Sequence, residues 1–179
     1  GGMGTDDAGA GSVKSVAQMV NAGSSTASPS AIGNLFNFTG NSGFFPLQEN
    51  GGHGGLNSSD ALGTEANYGG QVRFDYWLSL FPGKYVCISY GTNDVNGHAA
   101  GDTAAVNLAA ANLETMVQKV IALGKYPCMP KMPWARANTG VQSNGPALNA
   151  KIDALYAKYP QLIAGPDFYT FFSNNQALI

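Results

Sequence analysis

A chain of 179 residues that is 44% hydrophobic is long enough for one domain with its own core and too short for two full ones. Nine basic residues against eleven acidic ones leave a formal net charge of -2, so neither nucleic acid nor an anionic membrane surface is expected as a partner. No apolar run approaches the ~20 residues of a membrane span, and two cysteines, Cys87 and Cys128, are too few for a disulfide framework or a zinc-type ligand set, so no metal and no cofactor is expected.

The opening residues Gly1-Gly2-Met3-Gly4-Thr5-Asp6-Asp7 have the order of neither a signal peptide nor a transit peptide, and a processed or cut chain is expected. Low charge with 24 glycines and many Asn, Ser and Thr is the texture of many secreted enzymes, so an extracellular location is the compositional expectation. The triplets Asn37-Phe38-Thr39 and Asn57-Ser58-Ser59 add little to it, because such sequons arise often by chance.

Along the chain, Val13, Val16, Ala17 and Val20 are spaced for one helix face near 12–22, and a Gly-, Ser- and Ala-rich loop follows. Phe44 to Leu47 reads as a short strand that ends in the glycine cluster Gly51-Gly52-His53-Gly54-Gly55. After Gly69-Gly70, Val72, Tyr76 and Leu80 recur at helical spacing until Pro82-Gly83, with Trp77 expected in the core. The nearly continuous apolar run 84–90 reads as a strand buried on both faces, with Ser89 packed inside it. A helix is expected from an Asp102 N-cap, with Val106, Ala110, Leu113 and Val117 on one side and Gly124 as its stop. Tyr126 to Pro130 is the next strand. Leu148, Ile152, Leu155 and Tyr159 mark a further helix, and Leu162 to Ala164 a last strand before Gly165-Pro166.

Strands alternating with helices predict βαβ units and a mostly parallel sheet, a three-layer α/β/α sandwich in one domain over 1–179. Ligands then belong outside the carboxyl ends of the strands. Two constellations sit there: the 51–55 glycine cluster, and Gly91-Thr92-Asn93-Asp94 directly after the 84–90 run. Glycines let a backbone N–H approach a ligand, and an Asn amide is a neutral donor suited to an oxyanion. Taken singly, each is also ordinary turn chemistry.

Tyr90-Gly91-Thr92-Asn93-Asp94 resembles the third block, Gly-x-Asn-Asp, of the SGNH (GDSL) hydrolases, a family of serine esterases, and the stretch Asn50 to Ser58 resembles their second block. The segments 124–130 and 162–168 look like the family's last two strands, so the likeness runs from about Glu49 to Phe172. It implies a flavodoxin-like sheet and acyl transfer from an ester, with Gly55, through its backbone N–H, and Asn93 as oxyanion donors. Asp94 would brace the loop beside the substrate, and His53, Asp94 and Trp134 are the residues placed on the substrate side.

The family's first block, Gly-Asp-Ser with the nucleophile, and its last, Asp-x-x-His, are absent from the 179 residues. In the resembled sheet the first strand is central, so without it two strands would stand about 10 Å apart with unpaired backbone groups. The expectation is that a flanking segment or a second chain supplies that strand; a continuous sheet built from 1–179 alone would overturn it. No substitute triad is expected from His53, His98, Ser58, Ser59 or Ser89: the histidines read as loop or surface residues. Trp134, beside Arg136, is as well suited to stacking on a sugar or acyl group as to plugging the gap between loop and helix. Cys87 and Cys128 fall on what would be neighbouring strands and are expected to be buried free thiols.

Two functions follow. One is an SGNH-type ester hydrolase acting on a small-molecule or glycan ester, with carbohydrate deacetylation as the specific guess. The other is an inactive relative that binds glycan or serves as a structural module. A flavodoxin-like nucleotide binder is disfavoured, because no phosphate-cradling glycine loop opens a helix at the required spacing.

Overall fold

A computed structural model describes residues 57–63, 73–80 and 83–178. Over these residues the chain is α/β, a three-strand parallel sheet flanked by helices. The order is α1 (Ser58–Leu62), α2 (Arg73–Leu80), β1 (Tyr85–Cys87), α3 (Thr92–Val95), α4 (Thr103–Ala122), β2 (Tyr126–Lys131), α5 (Thr139–Lys158), β3 (Ile163–Asp167), α6 (Phe168–Asn174) and a short 3-10 turn at Gln176–Leu178. The helix expected near 12–22 and the strand expected at Phe44–Leu47 lie outside the described residues.

Local chemistry sets both ends of α4. The Asp102 carboxylate accepts the Ala105 N–H at 3.0 Å and holds His98 Nδ1 at 2.8 Å. The Ala105 bond first, and then His98, keeps that carboxyl below its ordinary value. At the other end Gly124 takes φ +67°, and its N–H and that of Lys125 close the last turn onto the carbonyls of Ile121 and Val120. Between them Val106, Ala109, Leu113, Met116, Val117 and Val120 form a buried stripe.

Helix α5 starts well before the Leu148–Tyr159 pattern, at an Asn138 cap that accepts the Val141 N–H at 2.9 Å. It carries Pro146 in its interior, which deprives the Gln142 carbonyl of its helical donor. The Tyr169 hydroxyl from α6 donates to that carbonyl instead, at 2.8 Å. Tyr169 can reach it because residue 145 is glycine: a Cβ there would stand 2.5 Å from the tyrosine ring.

The strand order is β1-β2-β3, with Tyr85 opposite Tyr126, Cys87 opposite Cys128 and Cys128 opposite Ile163. Right-handed crossovers between strands laid down in sequence put both connecting helices on one side of the sheet, and α4 and α5 do pack against each other. Their stripes close on Ile88, Met129 and Met132, with Val86 against the same core. β3 continues through Gly165-Pro166 rather than ending before them. Gly165 has no side chain to hold it away from Pro130, where a Cβ would fall 2.8 Å from the proline Cα, and the β2–β3 register shifts there.

Three expectations are corrected here. The strand in the 84–90 run covers only Tyr85–Cys87 and is not buried on both faces: Tyr85 is 68% exposed. Side chains alternate across a strand, and only the Val86 and Ile88 side meets α4 and α5. Ser89 lies beyond the strand, half-buried. Cys87 for the same reason is an exposed thiol and Cys128 a half-buried one, both free. The sheet of described strands is continuous, and among the described residues β1 pairs only with β2; the gap expected on its other side, toward Phe44–Leu47, lies outside the described residues.

Candidate functional site

Beyond β1 the chain passes through buried Ile88, whose N–H donates to the Cys128 carbonyl at 2.8 Å, and turns at Gly91. Gly91 takes φ +119°, and a Cβ there would stand 2.9 Å from Leu148, so both backbone and space require glycine. The turn feeds directly into α3, which carries Asn93 and Asp94.

Asp94 is the clamp of this corner. Its Oδ2 accepts the Gly91 N–H at 3.1 Å, closing the turn on itself. The same carboxylate accepts the Ser58 N–H at 3.1 and 3.2 Å, and the Ser58 hydroxyl donates to Oδ1. Ser58 Oγ in turn accepts from Asn112 Nδ2 on α4 at 2.9 Å, as does Ser59 Oγ. Three segments, α1, α3 and α4, are thus joined through one carboxylate and one amide. α1 is prepared for this by a reciprocal cap: Asn57 Oδ1 accepts the Asp60 N–H at 2.7 Å, and Asp60 Oδ2 accepts the Asn57 N–H at 3.3 Å. The other carboxylate oxygen of Asp60, Oδ1, is buried without a hydrogen-bond partner.

The carboxyl end of β2 is held by the same kind of device. Buried Asn149 on α5 accepts the Met132 N–H at 2.8 Å and donates to the Met132 carbonyl at 3.2 Å. Gln142 Nε2 donates to the carbonyls of Ala135 and Arg136 at 2.9 and 2.6 Å. Half-buried Trp134 lies between these anchors. A third buried amide, Asn144, accepts the N–H groups of Gly101 and Asp102 and donates to the Ala99 carbonyl.

Asn93 and Asp94 therefore follow β1, and Trp134 follows the adjacent parallel strand, so all three lie at one edge of the sheet. Gly55 and His53 lie outside the described residues. Ser58 is 0% exposed with its hydroxyl engaged by Asp94, which makes it a structural group and not a nucleophile. His98 is half of an exposed pair with Asp102, and among the described residues no serine hydroxyl bonds it. The described residues hold no group of three or more His, Cys, Asp or Glu placed for a metal ion, and none of their helices is long and apolar enough to cross a membrane.

Ser58 was marked in the sequence only as a serine not expected to be the nucleophile, and residue types alone did not mark Asn112, Asn144 or Asn149. A usable signal was present for the asparagines, since Asn112 and Asn149 stand next to Leu113 and Leu148 on the buried sides of their helices. No family model matches the chain, and no curated protein or solved structure matches it.

Proposed function

We propose that the protein is an ester hydrolase of the SGNH type, working by serine acyl transfer at the carboxyl edge of the sheet. The observation that carries this reading is the Asp94 clamp. In the two stretches that resemble the family's second and third blocks, Ser58 and Asp94 are 36 residues apart in sequence, and the Asp94 carboxylate bonds both the N–H and the hydroxyl of Ser58. The clamp brings Ser58 and the turn bearing Asn93 to one corner, and this supports a two-part oxyanion hole there.

In this reading the Asn93 amide and the Gly55 N–H donate to the oxygen that becomes negative when a serine attacks an ester carbonyl, while a histidine takes and returns the proton. Asp94, on the substrate side, positions the donors by bracing the Gly91 turn. β1, β2 and β3 are then the later strands of a flavodoxin-like three-layer sandwich, and the outer edge of β1 is where its first strand would pair, supplied by a flanking segment or a second chain. A secreted enzyme that removes acetyl groups from carbohydrate, with Trp134 stacking on the sugar, is the specific form of the proposal.

The test is turnover of p-nitrophenyl acetate with and without a serine-directed phosphonate, read together with intact mass. Turnover abolished by one covalent phosphonate per chain supports the reading, and Asn93→Ala then lowers kcat by about 100-fold or more. No turnover and no adduct from a protein whose intact mass exceeds the 18.5 kDa of these 179 residues overturns it. The reading then favoured is a glycan-binding or structural module, to which the absence of Gly-Asp-Ser and Asp-x-x-His from the 179 residues already points; glycan-array binding tests it.

A further inference from the structure

Cys87 and Cys128 are direct partners in the parallel register of β1 and β2. Partners in register project to the same side of a sheet, and here that side is the open one, which also carries Tyr85, Tyr126 and Ile163. The preceding pair on this face, Tyr85 and Tyr126, lies ring against ring at 5.4 Å and 27°. Side chains of in-register residues here therefore stand side by side. Neighbouring strands run ~4.8 Å apart, which falls inside the ~4.4–6.8 Å Cα separation that a disulfide spans. The remaining adjustment is a small closing of the two Cβ atoms, toward the ~3.5–4.5 Å that the bond needs. A strand of only three residues can make it. Both thiols are free, and Cys87 is exposed.

We propose that Cys87 and Cys128 form a dithiol oxidation site that closes into an intramolecular disulfide across β1 and β2 by exchange with a small disulfide of the glutathione class. One cysteine thiolate attacks a sulfur of glutathione disulfide, forming a mixed disulfide and expelling one glutathione thiolate. The second cysteine thiolate attacks the protein sulfur of that mixed disulfide, forming the Sγ–Sγ bond and expelling the second glutathione. The two thiol protons end on the two glutathiones, and the two electrons leaving the cysteine pair reduce one glutathione disulfide. Although Cys87 as a residue is exposed, partial desolvation of the sulfurs between the packed strands, and for Cys87 also the nearby Cys128, raises both thiols above their ordinary value, so exchange is slow near neutrality and quickens with pH.

The reduced protein is incubated with glutathione disulfide, quenched by alkylation, and read by intact mass and peptide mapping. The expected result is a Cys87–Cys128 cross-linked peptide in a monomeric chain, two glutathiones released per chain, and a rate that rises roughly tenfold per pH unit while the thiols remain protonated. Cys87→Ser and Cys128→Ser should each stop at a mixed disulfide carrying one glutathione. A wild-type protein that accumulates the mixed disulfide, that links into dimers, or whose thiols react only after unfolding overturns the proposal.

Discussion

Ile88 and Met129 on the helix side of the sheet are 0% and 1% exposed, whereas Tyr85 and Tyr126, on the same two stretches of chain but facing the other way, are 68% and 46% exposed. All four are large apolar or aromatic residues in runs that look uniformly hydrophobic. What separates them is the half-turn of the strand between neighbours, which delivers alternate side chains either to α4 and α5 or to the open face. Hydrophobic content decides that a segment becomes a strand here; the position of the helices decides which half of it is interior.

The largest effect that would sharpen this contrast lies on the open face. Closing Cys87 to Cys128 ties off a loop of about 40 residues, and the oxidised protein should gain about 4 kcal/mol over the reduced one in urea unfolding. An oxidised form less stable than the reduced one would mean that β1 cannot shift toward β2 without disturbing Ile88 behind it.

Next in size, Met129→Ala should cost about 3 kcal/mol, since it empties a filled site between the sheet and α5, while Ile163→Ala, 42% exposed on the other face, should cost under about 1 kcal/mol. Equal losses in a denaturant series would break the comparison, because they would require the open face to be covered. Asp94→Ala should follow at about 2–3 kcal/mol, as the N–H groups of Gly91 and Ser58 and the Ser58 hydroxyl lose their acceptor. Asp94→Asn, which keeps an acceptor at the site, should recover part of that loss.

The smallest effect is the response to acid. Glu114 on α4 accepts from Lys158 and from the Tyr159 hydroxyl at the end of α5, and these bonds, Lys158 first, hold its carboxyl below its ordinary value. Asp102 is held low by its cap. A carboxyl lowered by folding contributes stability that is fully present above its unfolded value and is lost as pH falls through the folded one. The urea midpoint should therefore be level above pH 4.5, the ordinary glutamate value, and decline below it. Glu114→Gln should shallow that decline; an unchanged slope would mean the α4–α5 lashing adds nothing to stability.

Much of this was legible where the signal is local. The Asp102 cap and the Gly124 stop of α4 lie within a few residues of the groups they satisfy, so residue type and spacing suffice. The strand at Tyr126 was legible from its apolar run and its place after that stop. Helix α5 was only half legible, because its apolar pattern begins at Leu148 and Gly145 and Pro146 disfavour a helix interior ahead of it. Their cost is offset by the Tyr169 hydroxyl, which lies more than twenty residues away along the chain. The short α1 was hidden among small polar residues, though Asn57 and Asp60 have the spacing of a capping box.

At the candidate site the division is sharper. Gly91-Thr92-Asn93-Asp94 stood out as a turn after an apolar run, and a turn is what it makes. That Asp94 reaches back to Ser58, and that Asn112 meets it there, depended on α1 and α4 arriving at the same corner. No periodicity within either segment encodes that meeting.

By itself, the sequence determined the alternation of strand and helix, the caps that bound α4 and the glycine turn after β1, because each follows from backbone geometry and hydrogen bonding among near neighbours. Only the tertiary structure decided which face of the sheet is interior, which polar side chains become buried braces, and that Cys87 meets Cys128. Those outcomes depend on strand register and on the side to which the crossovers carry α4 and α5, and both are set by contacts between residues far apart along the chain.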